Sequence, residues 1–364
     1  MKKIEIKIPG KTYPIFLGDG ITNSFRRVIK SGNFCKNFFF VVDSNVFEYH
    51  GEKINSLISA GGGKSFVHVF ESNERNKSFD GAQKIYSDLI SHGFARDTLV
   101  VAVGGGITGD ITGFVASTFM RGVQFVQIPT TLLSAVDSSV GGKTGINFEH
   151  TKNIIGTFFQ PEFVFIDTEF LNTLPKDELV CGIGEILKYA FLSNDELFDA
   201  LNNNLDKLLL LKPAFTKKII ETCIRFKGDV VAKDEKESGL RKILNFGHTF
   251  AHAFEVEQNY LLKHGQAVTV GIMCALELSR GLELISDKQF ARFASLPMKL
   301  KDKIVVRNFN ADDIYEIMKR DKKGTSDKIK FVLLNKLGRL LLDVTAEKAA
   351  VKAAIEKGAG YFVK

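Results

Sequence analysis

The sequence is poor in several features, and each scarcity removes a class of protein. Its four cysteines, Cys35, Cys181, Cys223 and Cys274, lie far apart and form no C-x-x-C pair, so no disulfide scaffold is encoded. No apolar run reaches the roughly 18 residues that span a bilayer. The opening stretch, MKKIEIKIPG, alternates charged and apolar residues as an edge strand does, and lacks the continuous apolar core of a signal peptide. A cytoplasmic protein without a membrane partner is expected. Formal charge is +7, yet the lysines are dispersed through helical stretches that also carry Asp and Glu. That spread argues against the clustered basic stripe of a nucleic-acid binder. A small anionic substrate, held by a few converging Lys and Arg, suits this charge better. No low-complexity tract or internal repeat is present.

The length, 364 residues, suits two domains, and 45% hydrophobic with 25% charged residues suits a soluble globular chain. The first half alternates short apolar runs with amphipathic segments, which predicts a parallel sheet with covering helices. Predicted strands are NFFFVVD, KSFVHVFES, DTLVVAVGGG, VQFVQIPT and EFVFIDT; predicted helices include FDGAQKIYSDLISHG and GDITGFVASTFM. From Lys176 onward nearly every segment has helical period, and Pro175 stands where its fixed φ suits a helix start. The expected architecture is therefore an α/β Rossmann-like nucleotide-binding domain over 1–175 and a mainly α-helical domain over 176–364. One late stretch, IKFVLLNKLGRLLLDV, reads as a hairpin turning at Asn335 to Gly338.

Gly104, Gly106 and Gly109 have G-x-G-x-x-G spacing after a strong strand and before a helix, the setting in which backbone N–H groups approach a phosphate. A Rossmann site also places an acid about 20 residues on, against the ribose. Here that region reads GVQFVQIP, with no acid. Asp43 ends an earlier strand and takes that role if its strand lies beside the glycine turn. The stretch PTTLLSAVDSSVGGKTGIN is too polar and glycine-rich for a core element and reads as a loop at the carboxyl edge of the sheet, where open α/β sheets bind ligands.

Of seven histidines, His248, His252 and His264 fall within seventeen residues. His50, His68, His92 and His150 read as ordinary surface or core residues. Spacing of four puts His248 and His252 on one helix face, which allows a zinc pair, and a catalytic zinc needs a third ligand. Glu185 is the candidate, being a carboxylate in an otherwise apolar helix. Spacing alone does not choose among the three histidines.

Taken together, GGGITGDITGFVASTFMRG, QIPTTLLSAVDSSVGGKTGIN, KNIIGTFFQP, DEKESGLRKILNFGHTFAHAFE, HGQAV and DKK resemble the 3-dehydroquinate synthase family, in order and over most of the chain. The resemblance implies a zinc or cobalt ion on Glu185, His248 and His264, with His252 near substrate instead. For NAD it implies Asp43, Asn45, Glu74, Lys77, the turn Gly105, Gly106, Ile107, Thr108, Gly109 and Asp110, then Thr130, Thr131, Lys143, Lys152, Phe170, Leu171, Asn172 and Thr173. For substrate it implies Asp137, Lys143, Asn153, Lys188, Lys227, Arg241, Asn245, His252 and one of Lys322 or Lys323, with Arg121 reaching across a homodimer interface. Departures are mild: SNERNK lacks the family's usual glycine before Glu74, and Ala251 and Gln266 replace a common glycine and glutamate.

The implied activity is conversion of 3-deoxy-D-arabino-heptulosonate 7-phosphate to 3-dehydroquinate plus phosphate in the shikimate pathway. NAD takes hydride at C5 and returns it within one turnover, phosphate leaves by elimination, and an aldol step closes the ring. Another sugar-phosphate cyclase or a metal-dependent polyol dehydrogenase shares the implied architecture. The carboxylate-binding cations argue against the latter.

Overall fold

The computed structural model describes residues 1–60, 63–149, 151–321 and 328–364. Lys322, Lys323 and His150 lie outside the described residues. The chain divides into two compact units, Met1–Leu174 with Pro213–Lys236, and Pro175–Lys212 with Glu237–Lys364.

The first unit holds β1 (Lys2–Ile8), β2 (Lys11–Gly18), β3 (Asn37–Asp43), β4 (Ser65–Phe70), β5 (Thr98–Gly104), β6 (Gln124–Pro129), β7 (Lys143–Phe148), β8 (Thr151–Phe158) and β9 (Phe163–Asp167). Seven of these form one sheet in the order β1-β2-β9-β6-β5-β3-β4. All neighbours pair in parallel except β1 and β2. β5 is buried at every position, as a parallel strand covered on both faces must be. Alternate residues of β3 divide between two cores: Phe38, Phe40 and Val42 join one cluster, Phe39 and Val41 the other. Each such buried Phe contributes roughly 1.5–3 kcal/mol of hydrophobic stabilisation. β1 alternates exposed and buried residues and lies at the sheet edge, because only its Ile4, Ile6 and Ile8 face a core.

Two features differ from the sequence reading. A single boundary near 175 does not describe the units, since the Pro213–Lys233 helix belongs with the sheet. Helical period identifies its secondary structure but not its partner; Ile6 of β1 packs where Gly228 has no side chain. The polar stretch after β6 is only partly loop, for β7 and β8 form an antiparallel hairpin in which Gly145 pairs with Gly156. Two facing glycines allow a backbone approach that the stretch's high polarity conceals.

The second unit is helical, with the nearly fully buried His264–Gly281 helix at its centre and the Lys176–Leu192, His248–Glu257 and Lys348–Gly360 helices against it. β10 (Phe331–Lys336) and β11 (Arg339–Val344) pair as the expected hairpin. No helix among the described residues is long and apolar enough to cross a membrane.

Candidate functional site

In the first unit the chain reverses its direction of travel across the sheet at β3 and β5. These strands are neighbours, with Val42 opposite Val103, so Asp43 and the glycine turn emerge side by side at the carboxyl edge. This adjacency is the condition that the sequence left open for Asp43, and it lies at the switch point where open α/β sheets bind ligands. Asp43 also caps the next short helix, its Oδ1 accepting from the N–H of Asn45 at 2.8 Å. The Gly106–Thr118 helix starts at Gly105 with no side-chain cap, which leaves its first N–H groups and their partial positive charge for a ligand. Thr130 donates its N–H to the Gly104 carbonyl at 3.0 Å, holding the loop after β6 against this turn.

Asp110, one turn into that helix, meets Lys77 Nζ at 2.6 Å, and Lys77 also donates to Asn153 Oδ1 at 2.5 Å. Burial pushes the Asp110 carboxyl up, and Lys77 opposes that shift. Asn147 was not singled out in the sequence, yet it ties this group together. Its side chain donates to Glu74 Oε2 at 2.8 Å and accepts from the Asn153 N–H at 2.9 Å. Only its position in the β7–β8 hairpin makes it visible. Lys152 lies 3.4 Å from Glu74. Asp137 sits in a π-helical turn, Ser134–Ser138, a geometry often found at functional sites. Its carboxylate is 2.9 Å from the buried Lys227 Nζ, which also donates to its backbone carbonyl at 2.8 Å. Thr131 is half-buried and Lys143 exposed. Phe170 to Thr173 form a turn after β9, with Thr173 Oγ1 2.7 Å from His50 Nε2. Arg121 stands apart from the glycine turn, beyond the far end of the 13-residue helix, roughly 20 Å along its axis. Its φ of 69° and that of Met120, 50°, are left-handed values unusual for such residues.

In the second unit Glu185, His248 and His264 each offer a ligand atom within 4.8 Å of the others. Local sequence explains the convergence. Gly247, with φ 79°, supplies the left-handed residue that starts the His248 helix. Gly184 and Gly265, adjacent in sequence to Glu185 and His264, let two helices touch backbone to backbone: a Cβ on Gly184 would come 1.8 Å from the Gly265 carbonyl oxygen.

The two oxygens of Glu185 have separate neighbours. His248 Nε2 and His264 Nε2 lie 3.4 Å and 3.1 Å from Oε1, whereas Lys188 Nζ is 2.5 Å from Oε2. Both oxygens are nonetheless buried without a well-directed hydrogen bond, as expected when donors aim at a common point rather than at one another. Burial raises the Glu185 carboxyl, but Lys188 and the two imidazoles outweigh it and hold it well below the ordinary range. Burial drives His248 down. It acts the same way on His264, where contacts with Glu185 and Glu255 prevail and push the imidazole up to about 10.

His252 belongs to a different group, with Glu255 and His264. Its ring centre is 5.6 Å from that of His248 and 6.1 Å from that of His264. Arg241 is only 2% exposed. Asn245 donates to Glu237 Oε1 at 2.7 Å.

Residues 67–181 match the family described as 3-dehydroquinate synthase N-terminal, and residues 182–324 the one described as 3-dehydroquinate synthase C-terminal. A 3-dehydroquinate synthase of Pelagibacter ubique is 39% identical over 364 residues, covering 98% of each chain. Among solved structures, 2-deoxy-scyllo-inosose synthase complexed with carbaglucose-6-phosphate, NAD+ and Co2+ superposes with a TM-score of 0.89 at 24% identity, over 98% of this chain and 100% of that one. ValA, the 2-epi-5-epi-valiolone synthase of Streptomyces hygroscopicus subsp. jinggangensis with NAD+ and Zn2+ bound, gives 0.87 at 24%, over 97% and 98%. These two likenesses establish the fold. With both halves matched and full-length relatives well above 30% identity, the chain belongs to the 3-dehydroquinate synthase family.

Proposed function

We propose that this chain is a carbon–oxygen lyase converting 3-deoxy-D-arabino-heptulosonate 7-phosphate to 3-dehydroquinate and inorganic phosphate, with NAD and a divalent metal ion, zinc or cobalt, as cofactors. One observation carries the reading: in a chain of this family, Glu185 Oε1 faces the Nε2 atoms of both His248 and His264. The carboxylate and two imidazoles suit a borderline-soft cation, and the buried Glu185 oxygens without directed hydrogen bonds call for one. The cofactors named with the two solved relatives support the same pair here.

Asp43 would accept hydrogen bonds from ribose hydroxyls, and the backbone from Gly105 to Asp110 would receive the pyrophosphate at the open helix start. Glu74, Lys77, Thr130, Thr131, Lys143, Lys152 and the turn Phe170–Thr173 complete that cradle. Glu185, His248 and His264 would hold the metal. When bound, NAD supplies a reversible hydride acceptor and the metal ion a Lewis acid toward substrate hydroxyls. Lys188, pinned to Glu185 Oε2, keeps Oε1 directed at the two imidazoles. Asp137, Lys143, Asn153, Lys188, Lys227, Arg241, Asn245 and His252 would bind and orient the anionic substrate. Lys227 is held by Asp137, and Asn153 by Lys77, so both reach it pre-positioned. The same reading assigns Arg121 to a homodimer interface and the protein to the cytoplasm, without nucleic-acid or membrane partners.

The test is phosphate release by the purified protein supplied with catalytic NAD and zinc. Release without net NADH, stopped by chelation and restored by metal, is expected. No release, with steady NADH from a polyol instead, would replace the reading with a polyol dehydrogenase.

A further inference from the structure

His264 is gripped at both ring nitrogens. Its Nε2 faces Glu185 Oε1 at 3.1 Å, and its Nδ1 lies 3.2 Å from Glu255 Oε2. A carboxylate only accepts, so Nδ1 donates to Glu255, and Nε2, which faces the Glu185 carboxylate, is the nitrogen that gives up its proton to a metal ion. Glu255 stands two helical turns beyond His248, at i+7 on the same helix face, and its side chain is 8% exposed. Burying a carboxylate is costly without a partner, and the imidazole is one. His248 is oriented differently: its Nδ1 donates to the neutral Phe246 carbonyl at 3.2 Å.

Building on the metal reading above, we infer that Glu255 is a positioning residue for the metal site, fixing the ring orientation and tautomer of His264 and strengthening its Nε2 as a ligand. A carboxylate behind an imidazole ligand raises the ligand's basicity, and losing such a partner typically weakens metal binding 10–100-fold. The two imidazoles are therefore unequal ligands, His264 backed by a charge and His248 by a carbonyl. The rival role is direct ligation, since His252, Glu255 and His264 also group within 4.8 Å. That role needs Nδ1 of His264 or Glu255 to exchange its hydrogen bond for a second ion.

The test compares full-length, metal-free wild type with Glu255→Gln, Glu255→Ala and His248→Ala. Zinc affinity is read by competition with a chromophoric chelator, stoichiometry by elemental analysis, and ligand field from the visible bands of cobalt(II). Wild type should take one ion. Glu255→Ala should bind it 10–100-fold more weakly. Glu255→Gln, which keeps an acceptor oxygen but no charge, should fall between them with shifted cobalt bands. Thermal unfolding of the metal-free proteins reports the fold. If Glu255→Ala does not fold, Glu255→Gln decides alone: weaker binding at unchanged melting temperature supports the role. Wild-type affinity and bands in Glu255→Gln would overturn it, as would two ions on wild type and one on the variant. Zinc binding by His248→Ala as tight as by wild type would instead refute the metal reading itself.

Discussion

Gly265 lies directly against Cys181: its N–H donates to Cys181 Sγ at 3.2 Å, and a Cβ placed on it would stand 1.7 Å from the Cys181 carbonyl oxygen. One helical turn separates Cys181 from Glu185, and Gly265 follows His264, so this contact sets the distance between two proposed metal ligands. Gly265→Ala forces backbone from backbone and should destabilise the metal-free protein by ~3 kcal/mol or more, because no rotamer change relieves the clash. Urea unfolding measures it. Stability within 1 kcal/mol of wild type, by the same overpacking scale, would show that the helices can separate freely.

His248 and His252 share a helix face but have different neighbours. His248→Ala should lose stoichiometric zinc. His252→Ala should keep one ion per chain and lose about 10²-fold or more in turnover, the usual size of a lost proton-transfer group. Elemental analysis with a phosphate-release assay separates the two. Equal metal loss in both variants would make His252 a ligand.

Asp43 serves its own helix as well as the proposed ribose contact. Asn caps a helix as well as Asp, so Asp43→Asn should leave stability unchanged, whereas Asp43→Ala should cost about 1 kcal/mol. Both should weaken NAD about 10- to 100-fold, the worth of a charged hydrogen bond. Titration calorimetry and thermal melts read the two effects apart. Undiminished NAD affinity in Asp43→Asn would remove Asp43 from the cofactor site.

Burial pushes the Cys181 thiol from its ordinary 9.0 up to about 12. The folded chain thus favours the neutral thiol, and the unfolded chain ionises first. Cys181's contribution is complete below pH 9 and is lost as pH rises toward 12, by on the order of 4 kcal/mol over that window. Cys181→Ser keeps an acceptor for the Gly265 N–H without titrating there, so its urea midpoint should fall less steeply between pH 9 and 11. Parallel slopes would contradict the assignment. At pH 8 the native thiols of Cys181 and Cys274, both raised by burial, should resist an aromatic disulfide reagent until the chain unfolds.

Local pattern was legible wherever one residue type solves one local problem. NFFFVVD and TLVVAVG announce central strands because both faces are buried, and Gly104, Gly106 and Gly109 announce a strand-to-helix turn. What periodicity could not supply was partnership. That β3 lies beside β5, making Asp43 a candidate for the ribose, is a fact of pairing rather than of either strand. The Pro213–Lys233 helix is amphipathic in any setting, so its membership of the first unit was hidden until Ile6 was seen to fill the space at Gly228. The sequence narrowed the metal ligands to a carboxylate and three histidines. Spacing alone does not separate His248 from His252; the family resemblance does, and the coordinates group His248 with Glu185 and His264, and His252 with Glu255 and His264. Only the coordinates reveal Glu255, which in sequence is one more acid on a helix.

Because Pro213–Lys236 returns to the first unit, neither unit is a continuous stretch of chain. During synthesis β1 emerges before the other strands of its sheet, yet the helix that covers its Ile6, and with it Lys227 for Asp137, emerges more than two hundred residues later. The apolar face of β1 therefore lacks its cover while the Lys176–Leu192 helix, including Glu185, is already being translated. A ribosome-bound fragment ending at Leu174 has every strand of the seven-stranded sheet but lacks this cover. Until that helix is made, the Ile6 face of β1 is the kind of transiently exposed apolar surface that makes a folding chain prone to aggregate.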